Sequence, residues 1–240
     1  MSNIIHQSYQ VTKLAMKLNE VIPLGRTFTE YQNMFSLNKA DLNKKILDCG
    51  GGPSSFNYEM KMQNREVTTI DPLYQFSRED IKKRIDETFD DVIAQAKASK
   101  NDYIWKNIKT VEELAETRMS AMKLFLNDFE TGKKENRYIN AELPDLPFED
   151  SQFDLALSSH FLFLYSDVLS LDFHVKAVDE MLRVAREVRI FPLLDLNTDK
   201  SQHVEEIMRI FKEKEMHVSI KTVNYEFQKG GNQLMRICKN

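Results

Sequence analysis

Three consecutive glycines, Gly50, Gly51 and Gly52, follow directly after a short apolar segment and precede a segment with helical spacing. A glycine-rich turn between a strand and a helix lets a ligand approach backbone N–H groups, because no Cβ stands in the way. Such a turn is typical of the first strand–turn–helix unit of nucleotide-binding α/β sheets. The glycines therefore predict an α/β fold with a ligand at the carboxyl edge of its sheet.

Strand-like and helix-like patterns alternate along the chain on both sides of one helical stretch. Strands are predicted at 45–49, 66–70, 137–141, 153–158 and 188–194, with a closing hairpin at 217–225 and 233–239. Helices are predicted at 8–19, from Thr27 onward, and at 54–63, 171–185 and 202–214. Residues 73–136 show no strand pattern and two helices, which start after Ser77 and Thr110. This alternation predicts a mostly parallel sheet, covered on both faces, with one antiparallel edge.

The composition indicates a globular protein of the cytoplasm. Hydrophobic residues make up 42% and charged residues 29% of the 240 residues, a mixture that can bury a core. No window approaches the roughly 18 apolar residues of a membrane span, and two cysteines fit a reducing compartment. The net charge of −4, with both signs interspersed, argues against a nucleic-acid partner. The five histidines lack metal-ligand spacing, so no metal site is predicted.

Two acids follow the first two predicted strands. Asp48 stands two residues before Gly50, where a carboxylate would repel a pyrophosphate and attract an amino cation. Asp71 comes nineteen residues after Gly52, the place of a carboxylate that accepts hydrogen bonds from ribose hydroxyls. Ser55 stands where the last glycine of a dinucleotide fingerprint would be. Asp48 before the turn and the missing last glycine argue against a nicotinamide-dependent dehydrogenase.

From about residue 45 to its C-terminus the sequence resembles the class I S-adenosylmethionine (SAM)-dependent methyltransferases. The resemblance is carried by the glycine turn, by Asp71, and by residues 142–148 leading into the strand that starts at Phe153. More narrowly, residues 25–31 and 159–165 resemble an uncharacterised bacterial group of these proteins. The resemblance implies a Rossmann-like, doubly wound sheet of seven strands in the order 3-2-1-4-5-7-6. Its last strand would be antiparallel, and the helical insertion would lie between strands 2 and 3.

The resemblance also implies SAM as cofactor, S-adenosylhomocysteine as product, and a set of residues that bind them. Asp48 would lie near the methionine amine, and Asp71 would hold the ribose. The other implied cofactor residues are Gly50, Gly51, Gly52 and Ser54 in the turn, Pro72, Leu73, Glu142 and Leu143 around the adenine, and Ser158 beside the methyl group. Glu142 replaces the commoner Asp of the family. Arg26 and Tyr31 either reach the cofactor carboxylate or pack where a helix begins.

The acceptor side is predicted from the residues after the fourth strand and from the insertion. His160 and Tyr165 are the candidate catalytic residues, and His160 is either a general base or a packing histidine. Phe161 begins an aromatic run that either lines a pocket or belongs to the core. Arg118 lies on the apolar stripe of an insertion helix. It either holds an anionic group of the acceptor or cofactor, or it extends to solvent or pairs with a core acid.

The predicted function is methyl transfer from SAM to a small or medium-sized, partly apolar acceptor by in-line displacement. A single methyltransferase domain would span residues 1–240. Its parts would be a helical lid (1–44), a sheet core (45–72 and 137–240) and an insertion over the acceptor site (73–136). A SAM-binding protein without transferase activity and an RNA or protein methyltransferase are the alternatives. The sequence predicts neither the identity of the acceptor nor the oligomeric state.

Overall fold

The computed structural model describes residues 22–239, which form one seven-stranded sheet with helices around it. The strands are β1 (Ile46–Cys49), β2 (Val67–Ile70), β3 (Tyr138–Ile139), β4 (Phe153–Ser159), β5 (Ala185–Phe191), β6 (His217–Thr222) and β7 (Gln233–Cys238). Their order is β3-β2-β1-β4-β5-β7-β6. Only β7 runs antiparallel to its neighbours β5 and β6. The predicted order and the antiparallel last strand are confirmed.

Six α-helices belong to the described chain, and several begin at predicted capping residues. They are α1 (Phe28–Met34), α2 (Phe56–Met62), α3 (Arg78–Ala98), α4 (Val111–Lys134), α5 (Leu171–Val184) and α6 (Val204–Glu213). Thr27, Ser77 and Thr110 each accept a hydrogen bond from the N–H three residues on, as N-cap side chains do. These three predicted starts are confirmed. The helix predicted at 8–19 lies outside the described residues.

Alternate residues of the central strands enter different cores on the two faces of the sheet. Leu47 and Cys49 of β1 belong to a core with α5 and α6, whereas Ile46 packs with α1 and α2. Side chains alternate along a strand, so Asp48 lies on the α1 and α2 face. A charged side chain in the middle of β1 is thus directed towards the N-terminal helix.

The insertion forms a third core with the adjoining edge of the sheet. Ile81 and Ile85 of α3 pack with Phe125 and Phe129 of α4, and Tyr138 of β3 completes the cluster. At the end of α4, the Arg137 guanidinium donates to both oxygens of Asp128 at 2.6 and 2.7 Å and to the Asn57 carbonyl at 2.7 Å. This buried network fixes the end of α4 to β3 and α2.

The α3–α4 connection, residues 99–110, is called the strap because it crosses to the loop between β6 and β7. The Ile104 N–H donates to the Phe227 carbonyl at 2.7 Å, and the Lys229 N–H donates to the Asp102 carbonyl at 3.0 Å. The Tyr103 ring stacks on Phe227 with 4.6 Å between centroids. The strap therefore fastens the insertion to the opposite end of the sheet.

Some predicted strand limits were wrong. β5 spans Ala185–Phe191 rather than 188–194. It starts as soon as α5 ends, since Ala185 already has extended backbone and pairs with Phe153. It stops before Pro192, which has no N–H for the ladder. β3 keeps only two residues because it pairs with β2 alone. Within residues 22–239, none of the helices has the length and apolar character needed to span a bilayer.

Candidate active site

The glycine turn, residues 50–52, needs glycine for two different reasons. Gly50 and Gly52 have φ of 73° and 52°, the left-handed region that favours glycine. A Cβ on Gly51 would lie 2.3 Å from Asp48 Oδ2 and 2.3 Å from Thr69 Cγ2. No other residue fits that position without displacing its neighbours. Ser54, which follows the turn, is buried.

Asp48 is a fully buried carboxylate beside this turn. The Tyr31 hydroxyl lies 3.2 Å from its Oδ1 and 3.1 Å from its Oδ2. Among residues 22–239 no Lys, Arg or His forms an ion pair with it. Burial raises the pKa of Asp48 to about 8, although the Tyr31 hydrogen bond opposes the shift, and the charge of Asp71 raises it further. A cation bound here would restore the ionised form, which fits the amine of SAM.

Asp71 joins the end of β2 to the glycine turn. Its Oδ2 accepts the Gly52 N–H at 2.9 Å, and its Oδ1 accepts the Leu73 N–H at 2.8 Å. Burial raises the pKa of Asp71 to about 6, partly offset by these two backbone hydrogen bonds. Each carboxylate oxygen has a further lone pair, so two ribose hydroxyls can still bind. Pro72 begins the short 3₁₀ turn that follows.

Only some of the residues predicted around the adenine are buried near Asp71. The Asp71 N–H donates to the Ile139 carbonyl at 3.2 Å, which sets the end of β3 beside Asp71. Leu73 and Leu143 are buried, but Glu142 is exposed in a turn where its carbonyl accepts the Asp145 N–H. The structure therefore brings two of the three predicted acids together in a buried site. The role of Glu142 stays a prediction.

His160 and Phe161 follow β4, and the Phe161 ring lies against the glycine turn. A Cβ on Gly50 would be 3.4 Å from the Phe161 ring. His160 has a φ of 51°, and its Nδ1 lies 2.9 Å from the Ser159 hydroxyl. Burial, together with the charges of Arg26 and Arg118, holds the pKa of His160 well below its usual value. The imidazole is thus neutral near pH 7, with its Nε2 free of hydrogen bonds in the described structure.

Ser158 and Tyr165 differ in their position relative to the site that contains Asp48 and Asp71. Ser158 pairs in register with Cys49, so its side chain is on the α5 face, and its buried Oγ has no partner within 22–239. Tyr165 ends the 3₁₀ turn Phe163–Tyr165. Burial raises the pKa of Tyr165, the charge of Arg26 lowers it and that of Asp71 raises it. The Tyr165 hydroxyl is therefore within electrostatic reach of the buried site, whereas the Ser158 hydroxyl is on the other face.

Arg118 is buried and forms an ion pair with one acid. The Arg118 Nη1 donates to Glu30 Oε2 at 2.6 Å, and the Tyr225 hydroxyl donates to Glu30 Oε1 at 2.8 Å. Although burial opposes it, the charge and hydrogen bond of Arg118 lower the pKa of Glu30 to about 2. Neither Glu30 nor Tyr225 was among the site residues predicted from the sequence. The sequence signal for this ion pair was the position of Arg118 on the apolar stripe of its helix.

Known proteins resemble the chain at several levels. A family model described as a methyltransferase domain matches residues 109–188. The uncharacterised protein MJ0045 of Methanocaldococcus jannaschii is 36% identical over 223 residues, or 92% of this chain and 98% of that protein. This relative is archaeal, so the group expected to be bacterial has an archaeal member.

Two solved structures show more distant likenesses. The PH0226 protein of Pyrococcus horikoshii has 12% identity and a TM-score of 0.46, covering 97% of this chain and 98% of its own. Magnesium protoporphyrin IX methyltransferase of Synechocystis PCC 6803, crystallised with SAM, has 9% identity and a TM-score of 0.44, covering 84% and 73%.

The match to the methyltransferase domain includes α4 from Val111 onward, β3, β4 and α5. The strand order is the one that the resemblance implied. Asp48 is buried beside the glycine turn and has no ion pair within residues 22–239, which fits a cationic nucleoside. The chain therefore shares a family with the archaeal MJ0045 and belongs to the class I SAM-dependent methyltransferases, with SAM as its cofactor.

Proposed function

We propose that the enzyme transfers the methyl group of SAM to a small or medium-sized, partly apolar acceptor by in-line displacement. The observation that carries the proposal is that the segment after β4, which bears the neutral imidazole of His160, lies beside the glycine turn. The Phe161 ring touches the glycine turn, and His160 precedes it. SAM supplies an electrophilic methyl group, so the protein must chiefly orient the acceptor and exclude water.

The cofactor half of the proposal assigns a task to each buried group. Asp48 receives the methionine amine, and Tyr31, which already contacts both of its oxygens, holds that carboxylate in place. Asp71 receives the ribose hydroxyls while Gly52 and Leu73 fix its orientation. Glu142 and Leu143 complete the adenine end.

The acceptor half assigns proton removal to His160. A neutral imidazole can accept a proton from an O–H or N–H acceptor, and the Ser159 hydroxyl fixes its Nδ1. A non-glycine residue at positive φ costs about 1 kcal/mol or more, which indicates that the surroundings hold His160 in this position. Tyr165 and Phe161 provide the adjoining aromatic wall. In this proposal the insertion (73–136) and the lid (1–44) cover the acceptor.

Binding and transfer are tested separately. Thermal-shift titration should show stabilisation by SAM and by S-adenosylhomocysteine but not by NAD. The Asp48→Asn variant should lose most of the stabilisation by SAM. The Asp91→Asn variant, which changes an exposed aspartate on α3, should keep that stabilisation. If SAM does not stabilise the wild type, the assignment of the cofactor site is wrong.

Transfer is tested with methyl-labelled SAM and a metabolite extract. Label should enter a small molecule, above the Asp48→Asn background. Label in RNA or protein would instead identify a macromolecular acceptor. Stabilisation by SAM without any transfer of label would favour a SAM-binding protein.

A further inference from the structure

One edge of a buried guanidinium has no partner within residues 22–239. Arg118 is 1% exposed, and its Nη1 is bound to Glu30, but its Nε and Nη2 have no hydrogen-bond acceptor. These two nitrogens form one edge of the planar guanidinium, called the Arg118 edge below. Two parallel N–H groups at such an edge match the two oxygens of a carboxylate or phosphate.

Glu30 contacts Arg118 only through Nη1, and both of its oxygens are also held by other donors. Its Oε2 accepts the Thr27 N–H at 2.9 Å and the Thr27 hydroxyl at 3.1 Å, in addition to Arg118. Its Oε1 accepts the Tyr225 hydroxyl. Buried donors are nearly always paired in folded proteins. The Arg118 edge is therefore shaped for a group that the described chain does not provide.

Arg26 is a second arginine of this region, and its side chain is half-buried. Its Nε also lacks a partner in the described structure, and its Nη1 makes only a 3.4 Å contact with the Leu24 carbonyl. The Arg26 carbonyl accepts the Ser55 N–H at 3.0 Å, which places Arg26 beside the loop that follows the glycine turn. Burial raises the pKa of Tyr31 and of Tyr165, and the charge of Arg26 opposes the shift at both. We therefore assign Arg26 to the cofactor's carboxylate, which leaves the Arg118 edge for a second oxyanion.

An aromatic cluster lies beside the Arg118 guanidinium. The Arg118 guanidinium lies 6.0 Å from the centroid of the Phe227 ring. Phe227 in turn packs on Tyr103 and Trp105 of the strap, with centroids 4.6 and 5.7 Å away. A ligand that reaches the edge therefore has an apolar surface beside it.

We propose that the Arg118 edge binds an oxyanion of the methyl acceptor, so that the substrate is an apolar ring or chain that bears a carboxylate or a phosphate.

 The inference rests on the proposed function, because it takes the second ligand to be the acceptor.

The test uses the full chain saturated with S-adenosylhomocysteine and three probes that share one ring. Benzoate and phenyl phosphate carry the oxyanion, and benzamide is the neutral control. Calorimetry should show tighter binding of at least one anion than of benzamide. Arg118→Lys keeps a charge opposite Glu30 but loses the two-donor edge, and it should weaken anion binding about ten- to hundredfold. Its affinity for S-adenosylhomocysteine should stay within about twofold of the wild type.

A second variant distinguishes the loss of anion binding from the loss of the folded state. The pair Arg118→Met with Glu30→Gln removes both charges together, so that no buried charge is left alone. It should bind S-adenosylhomocysteine and no longer prefer benzoate over benzamide. Whichever of benzoate and phenyl phosphate binds the wild type more tightly identifies the headgroup as a carboxylate or a phosphate.

Three results would overturn the proposal. The first is that neither anion binds better than benzamide. The second is that Arg118→Lys weakens the binding of S-adenosylhomocysteine instead of the anion, since the edge would then hold the cofactor. The third is that Arg118→Met with Glu30→Gln still prefers benzoate over benzamide, since the anion would then bind elsewhere. Failure of the wild type to bind SAM or S-adenosylhomocysteine would refute the proposed function instead.

Discussion

Binding of SAM should release a proton from Asp48. Because the pKa of this buried carboxyl is about 8, about nine tenths of it is protonated near pH 7 without ligand. The amine of the cofactor favours the ionised carboxylate, so the pKa of Asp48 falls on binding. The complex then holds fewer protons than the free protein, and affinity should rise with pH.

The expected size of this effect follows from three groups. Asp48 contributes a release of about 0.9 proton near pH 7, and Asp71, with a pKa of about 6, contributes about 0.1. The α-amino group of the cofactor, with an ordinary pKa near 7.8, takes up about 0.1. The net release is about 0.9 proton per SAM, and affinity should rise nearly tenfold per unit between about pH 6 and pH 7.5.

Isothermal titration calorimetry in buffers of different ionisation enthalpy measures this number directly. The slope of the observed enthalpy against the buffer's ionisation enthalpy gives the protons released. Asp48→Asn should bring the slope close to zero, whereas Asp91→Asn should leave it unchanged. A wild-type slope equal to that of Asp48→Asn, or an affinity that stays flat from about pH 6 to pH 8, would refute the reasoning.

Four further outcomes are expected. Asp48→Asn should stabilise the ligand-free protein: the folded pKa lies above the unfolded value of 3.8, so wild-type stability falls as pH rises from about 4 to about 8. In denaturant unfolding, Asp48→Asn should be more stable than the wild type by a few kcal/mol at about pH 8 but not at about pH 4. Gly51→Ala should destabilise the fold by about 1–3 kcal/mol and remove the thermal shift caused by SAM, because its Cβ would overlap Asp48. Glu30→Gln should cost about 3–5 kcal/mol in the same unfolding assay, because it leaves Arg118 buried without its ion pair. The ring resonances of His160 should not titrate in NMR spectra between about pH 6 and pH 8, because burial lowers its pKa.

Features set by neighbouring residues could be predicted from the sequence. The capping side chains of Thr27, Ser77 and Thr110 act within one helical turn, and the glycine turn is a local backbone requirement. The strand order followed from the resemblance to a family. The length of β3 could not be predicted, because it depends on pairing with β2 rather than on its own side chains.

Contacts between distant segments escaped the sequence analysis. Arg118 and Glu30 are 88 residues apart, and Tyr225 comes from a third segment. An arginine on an apolar stripe signals that a partner exists but not which acid provides it. The packing of the strap on Phe227 had no local signal, since an aromatic residue in a loop is compatible with many surroundings.

The strap also has a consequence for how acceptor preference can change. It joins residues from the middle of the chain to the final hairpin through the Tyr103–Phe227 stack and two backbone hydrogen bonds. A substitution of Tyr103 or of Phe227 removes the ring on which the other residue stacks. Relatives that have diverged towards different substrates should therefore show paired exchanges at these two positions, because neither segment can be refitted alone.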